Sequence, residues 1–176
     1  MIEDKKKKEA AVNFSVYLDE GLIKKENNDL AKVKYIENAD LSLRVANELL
    51  SSKLKSHLWV IVISYYSMFY ISNAVFLHYG YKVQDKIAHK VTNDALIHLV
   101  LDKLKKELIE DYEDIQRDAL EIANNKAEVI VESYSFELGK RSRFQYNMLE
   151  QTKESKARTS FDRASKFVFE MKKLMK

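Results

Sequence analysis

The chain has 176 residues and a mass of 20.6 kDa, the size of a single domain, and its 46% apolar and 32% charged residues exclude disordered and collagen-like classes. Zero prolines and three glycines leave almost none of the turn chemistry an all-β fold needs, and zero cysteines exclude a disulfide framework, Cys-ligated zinc, iron–sulfur clusters and a thiol nucleophile. The net charge of +3 is unevenly spread: residues 140–176 carry 11 Lys/Arg against 4 Asp/Glu, leaving 19 against 23 for the rest, so the basic end either attracts phosphates or forms a solvated helix face.

Helical periodicity predicts an all-α protein of five or six helical segments. The opening Lys5–Lys8 is followed by no apolar stretch or cleavage-like site, so no secretory signal is expected and the protein reads as cytoplasmic. A first segment near 9–25 places Ala10, Phe14, Tyr17, Leu18, Gly21 and Leu22 on one side, an amphipathic arm occupying residues 1–27. The bundle proper, 28–176, begins with a segment over about 30–51 with apolar residues at Val33, Ile36, Leu43, Ala46 and Leu50 and Asp29 as its N-cap. Leu58–Leu77 has no charged residue over 20 positions, the length of a membrane span. Seven hydroxyl and amide side chains crowd its middle, each of which needs a partner in lipid, so we read it as a central helix surrounded by others, ended by Gly80.

The stretch Tyr81–Val91 breaks the periodicity and is expected to be an exposed loop. From Thr92, a plausible N-cap, Leu96, Val100, Leu104 and Leu108 form a ridge that runs into the acidic cluster at 110–114. A helix over about 115–140 aligns Leu120, Ala123, Ala127, Ile130, Tyr134 and Leu138, and a last one over about 155–175 aligns Ala157, Phe161, Ala164, Val168, Met171 and Met175. The economical architecture is an antiparallel helical bundle with the Leu58–Leu77 helix central and the first segment a short N-terminal helical arm.

Chemistry is sparse. The residues three before His57, His78, His89 and His98 are not carboxylates, so the Glu-x-x-His step of di-iron bundles is missing; neither a phosphate loop nor a metal-ligand motif is present, and no cofactor or metal is expected. Glu107, Glu110, Asp111, Glu113 and Asp114 could hold a hard cation or form a solvated helix end. His57 and His78 bracket the apolar helix and suit packing or solvation, and His98 suits a local role. His89, beside Lys86 and Lys90, is the histidine to single out for anion contact or proton transfer, with structural use the alternative. The cluster Gly139, Lys140, Arg141, Arg143, Phe144 and Tyr146 combines cations that clamp phosphates with aromatics that stack on bases; equally, its rings could plug the bundle end while Arg141 and Arg143 pair with the acidic cluster.

The runs AKVKYIENADLSLRVANELL, ISYYSMFYISNAVFLHYGY and KIAHKVTNDAL, with KRSRFQYN and the closing helix carrying Ala157, Ala164 and Phe167, resemble the HEPN superfamily over about residues 14–175. The arm YLDEGLIKKE resembles the N-terminal extension of a mainly archaeal HEPN subfamily. The resemblance implies an antiparallel up-and-down bundle of four to five helices, commonly a homodimer, in a family associated with RNA and nucleotides. Many members are ribonuclease toxins or defence effectors encoded beside a minimal nucleotidyltransferase antitoxin. Their Arg-x4–6-His ribonuclease motif is missing here, since no histidine follows any arginine at that spacing and the last histidine is His98. Without an imidazole to move protons at neutral pH, cleavage should lose on the order of 10²–10⁴ in rate. The expectation is a non-catalytic RNA- or nucleotide-binding or regulatory module of a toxin–antitoxin or defence-type system, acting as a homodimer away from the membrane, with Lys86, His89, Lys90, Lys140, Arg141, Arg143 and Tyr146 as binding residues. The alternatives are a divergent metal-independent ribonuclease using His89, Arg143 and Tyr146, or a protein-interaction partner of a minimal nucleotidyltransferase.

Overall fold

A computed structural model describes residues 4–54, 56–133 and 143–176, with side chains over 4–54, 56–123 and 153–176. The chain is mostly helical, and its described residues run in the order α1 (Asp4–Asp19), β1 (Ile23–Lys25), α2 (Asp29–Ser51), α3 (His57–His78), β2 (Tyr81–Val83), α4 (Ala88–Leu99), α5 (Lys106–Ser133) and α6 (Arg143–Lys173), with a 3-10 turn at Leu101–Lys103.

The uncharged helix α3 is the spine. It is packed by α2, α6 and α5, with α4 and β2 against it as well. Among the described residues it alone is long and apolar enough to cross a membrane, with a mean hydropathy of 1.6, but 78% of that window is buried inside the protein. The reason is visible in its side chains: Ile61, Tyr65, Met68, Ile71 and Phe76 are at most 1% exposed, and each such burial removes about 1.5–3 kcal/mol of apolar surface from water. The neighbours approach closely where their own residues are small, at Ala39 and Ala46 on α2 and at Ala157 and Ala164 on α6, all without exposed surface. Several polar groups inside α3 are satisfied along the helix, as Ser72 Oγ donates to the Met68 carbonyl (2.7 Å) and Asn73 Nδ2 to that of Phe69 (2.9 Å), whereas Ser64 Oγ is buried without a partner among the described residues.

Gly80 takes the expected position after α3, with φ +83° and its N–H donating to the Leu77 carbonyl at 3.0 Å. The cap of α2 is one residue earlier than expected: Asn28, not Asp29, accepts from the Ala31 N–H at 2.9 Å. The first segment also ends sooner. Gly21 at φ +69° stops α1, and the chain straightens into β1, whose Ile23, Lys24 and Lys25 pair antiparallel with Val83, Lys82 and Tyr81 of β2. The segment expected to be a loop, 81–91, is therefore a strand, a short turn and the start of α4. Thr92 is not a cap but a fully buried residue within α4, and the Leu96-to-Leu108 ridge is broken by the 3-10 turn, α5 beginning at Lys106. The last helix is longer than expected, reaching back to Arg143.

Helix α1 shares the main core. Ala10, Phe14 and Tyr17 are buried, the Phe14 ring lies 5.2 Å from that of Tyr81, and the Tyr17 hydroxyl donates to Asp94 at 2.6 Å beside the Asn13 amide at 3.1 Å. Burial first, then the carboxylate, pushes the Tyr17 hydroxyl's pKa up.

Candidate functional site

Three helices bring one polar group each to the same place. Tyr65 on α3 is fully buried, and an apolar helix can carry a phenol there only if the hydroxyl finds a partner. Its partner is His89 on α4, with Oη and Nδ1 2.6 Å apart. Gln116 on α5 closes the group, its Nε2 donating both to Tyr65 Oη at 3.0 Å and to the His89 carbonyl at 3.1 Å.

These contacts limit where the protons can sit. Gln116 supplies a hydrogen to the phenol oxygen, and the Tyr65 proton has two acceptors near it, His89 Nδ1 and the Tyr112 hydroxyl. A Tyr65 proton directed to Nδ1 leaves the proton of the neutral imidazole on Nε2, the far edge of the ring. Burial lowers the His89 pKa below its ordinary value and pushes that of Tyr65 up to about 12, so both are neutral at pH 7. Rings of Tyr65, Tyr66 and Phe69 lie 5.5, 5.9 and 5.0 Å from the imidazole, which accounts for the desolvation. Behind them Tyr112, fully buried, stands 5.7 Å from Tyr65, its hydroxyl near the phenol but without a hydrogen bond of good geometry.

In front of His89 is a cleft of about 430 Å³ lined by Ile87, His89, Lys90, Asn93, Gln116 and Leu120. Lys86 and Lys90 are exposed and pair with no carboxylate among the described residues. Of the sequence-predicted site, then, His89 and Lys90 line this cleft, and exposed Lys86 directly precedes its lining residue Ile87 in the chain. Lys140 and Arg141 lie outside the described residues; Arg143 and Tyr146 belong to the first turns of α6, and their side chains lie outside them too. Tyr65 and Gln116 were not singled out from sequence, although a phenol inside an uncharged helix was a signal that some polar group had to meet it.

The other charged candidates are engaged elsewhere. Acidic residues of α5 pair with cations of α1, α5 itself and α6: Glu113 with Lys6 (2.5 Å), Glu110 with Lys106 (3.1 Å), Asp114 with Arg117 (2.6 Å) and Asp111 with Arg163 (3.1 Å). The basic C-terminal helix likewise spends Lys156 on Asp118 (2.8 Å) and Lys172 on Asp40 (2.5 Å). Exposed pairs of this kind add little stability, but they neutralise charge that would otherwise face a ligand. Among the described residues no group of three or more His, Asp or Glu side chains is placed to hold a metal ion. His57 is buried, His78 is exposed beside Tyr79, and His98 lies 4.6 Å from the Phe14 ring. A second cleft of about 450 Å³ lies beside the two-stranded sheet, lined by Lys25, Asn27, His78 and Tyr81 among others, and its carboxylate, Glu26, is already held by Lys82 and Asn28.

Comparison with known proteins gives no match to this chain, whether among family models, curated proteins or solved structures.

Proposed function

We propose that the protein is a HEPN-like four- to five-helix bundle that binds RNA or nucleotides without cleaving them, a regulatory module of a toxin–antitoxin or defence-type system that works in the cytoplasm as a homodimer. The sequence resemblance supports the family and the system. What supports binding over cleavage is the state of His89. Metal-independent cleavage needs a base for the 2′-hydroxyl proton. With the Tyr65 hydroxyl donating to His89 Nδ1, the far Nε2 carries the ring proton, so the imidazole offers the cleft a hydrogen-bond donor. With Lys86 and Lys90 beside it, that donor suits phosphates and base edges. Exposed apolar residues of α2 and α3, including Leu41, Val45 and Tyr66, support the homodimer; a minimal nucleotidyltransferase is the alternative partner.

Filter binding of single-stranded RNA over a range of salt tests the reading. Retention at low salt is expected, with the RNA recovered intact and a log–log salt slope of roughly −1.4 if the two lysines each neutralise a phosphate. No retention at low salt refutes it. Cleaved RNA, with cleavage lost in His89→Ala, replaces it with the divergent ribonuclease built on His89, Arg143 and Tyr146.

A further inference from the structure

We infer that the His89 cleft is a pocket for one unpaired nucleobase of a single strand, with Ile87 held over its rim by a strained backbone. The inference rests on the RNA-binding reading above and names what the cleft takes. Its starting point is the backbone of Ile87, the residue before α4, at φ 47° and ψ 32°. It is the only non-glycine residue with positive φ among those described, and a β-branched side chain is the least suited to that region. Packing does not repay the strain, because Ile87 is 50% exposed. The backbone job at this position, accepting from the N–H groups of Lys90 (3.0 Å) and Val91 (3.1 Å) to start α4, is one that glycine or asparagine performs with less strain. What only isoleucine adds is an apolar group at the mouth of the cleft.

The remaining lining gives the pocket its chemistry. Leu120 supplies a second apolar wall on α5. Between the walls, His89 presents Nε2–H as a donor. Gln116 uses its Nε2 inward, which leaves its carbonyl oxygen as the acceptor. Asn93 donates to Glu113 at 3.3 Å, while its Oδ1 is shut off from water and meets no donor among the described residues. Apolar faces enclosing a donor and the Gln116 acceptor suit a flat heteroaromatic ring with mixed polar edges. A bare phosphate has no use for the apolar walls, and a lipid chain has none for the polar floor. Lys90 on the lining and exposed Lys86 supply the charge for the phosphates flanking that base. The volume, about 430 Å³, lies within the roughly 300–1,000 Å³ of small-ligand sites.

The test is fluorescence anisotropy at low salt with two probes, a short labelled oligoadenylate and an abasic oligomer with the same sugar–phosphate backbone. For the wild-type protein the abasic probe is expected to bind about tenfold or more weakly, the loss of one enclosed base. Ile87→Gly is expected to weaken oligoadenylate binding about tenfold, to leave the abasic probe within about twofold, and to keep or raise the thermal midpoint. Equal affinity of the wild-type protein for both probes overturns the pocket while leaving RNA binding in place. Failure of both probes to bind overturns the pocket together with the reading it rests on.

Discussion

Tyr65→Phe removes one oxygen atom from the centre of the three-helix polar group and leaves the ring, which is fully buried, in place. Two hydrogen bonds are lost, at 2.6 Å to His89 and 3.0 Å from Gln116. At about 0.5–1.5 kcal/mol net for each bond, the loss spans about 1–3 kcal/mol. Gln116 keeps its bond to the His89 carbonyl, and half-buried His89 can turn its Nδ1 to water, so the lower part of that range, about 1–2 kcal/mol, is expected. In a chain of this length that is a fall in midpoint of about 2–8 °C. Thermal and urea unfolding followed by circular dichroism measure it, with the urea slope unchanged. The sharper readout is the double-mutant cycle with His89→Ala, in which the pair should couple by about 0.5–1.5 kcal/mol. Strictly additive effects in that cycle, or a Tyr65→Phe protein as stable as the wild type, refute the assignment of the phenol proton to His89.

Other consequences concern the helix ends, the α1 packing and the titration of His89. Gly80→Ala places a Cβ in a left-handed position 3.4 Å from Asn27 Oδ1 and should cost about 1 kcal/mol or more, read as a lower unfolding midpoint. Phe14→Ala, which empties a buried site between α1, Tyr81 and His98, should cost about 3–5 kcal/mol in denaturant unfolding; a cost below about 1 kcal/mol means that α1 is not part of the core. Because burial lowers the His89 pKa in the folded state, the unfolded chain binds more protons below about pH 6.5. The stability contributed by neutral His89 is therefore complete above that pH and is lost as pH falls through the unfolded value towards the folded one. His89→Asn should flatten this part of a stability–pH profile.

Much of the fold was legible because its signals are local. Twenty uncharged residues in α3, a glycine at their end and small residues at helical spacing in α6 each act within a few turns of chain. The errors arose where a partner distant in sequence decides. Three-residue strands carry almost no periodic signal, and Ile23–Lys25 is extended because Tyr81–Val83 lies beside it. Apolar residues at four-residue steps from Leu96 to Leu108 read as one ridge because a 3-10 turn barely disturbs the spacing. Asn28 and Asp29 are both good caps, and only the geometry of the preceding turn chooses between them. At the site, Lys86, His89 and Lys90 stood out as a broken basic stretch, whereas Gln116 is an ordinary helix-surface residue until α5 is placed against α4. Ile87 gave no warning, since nothing in an isoleucine announces a left-handed backbone.

The most direct test of the account is the imidazole nitrogen spectrum of His89 at neutral pH, recorded before and after addition of a short single-stranded RNA. The account predicts a neutral ring protonated on Nε2, with that N–H resonance shifting as RNA binds while those of His78 and His98 stay in place. A ring protonated on Nδ1, or an Nε2 signal that RNA leaves unmoved, contradicts it.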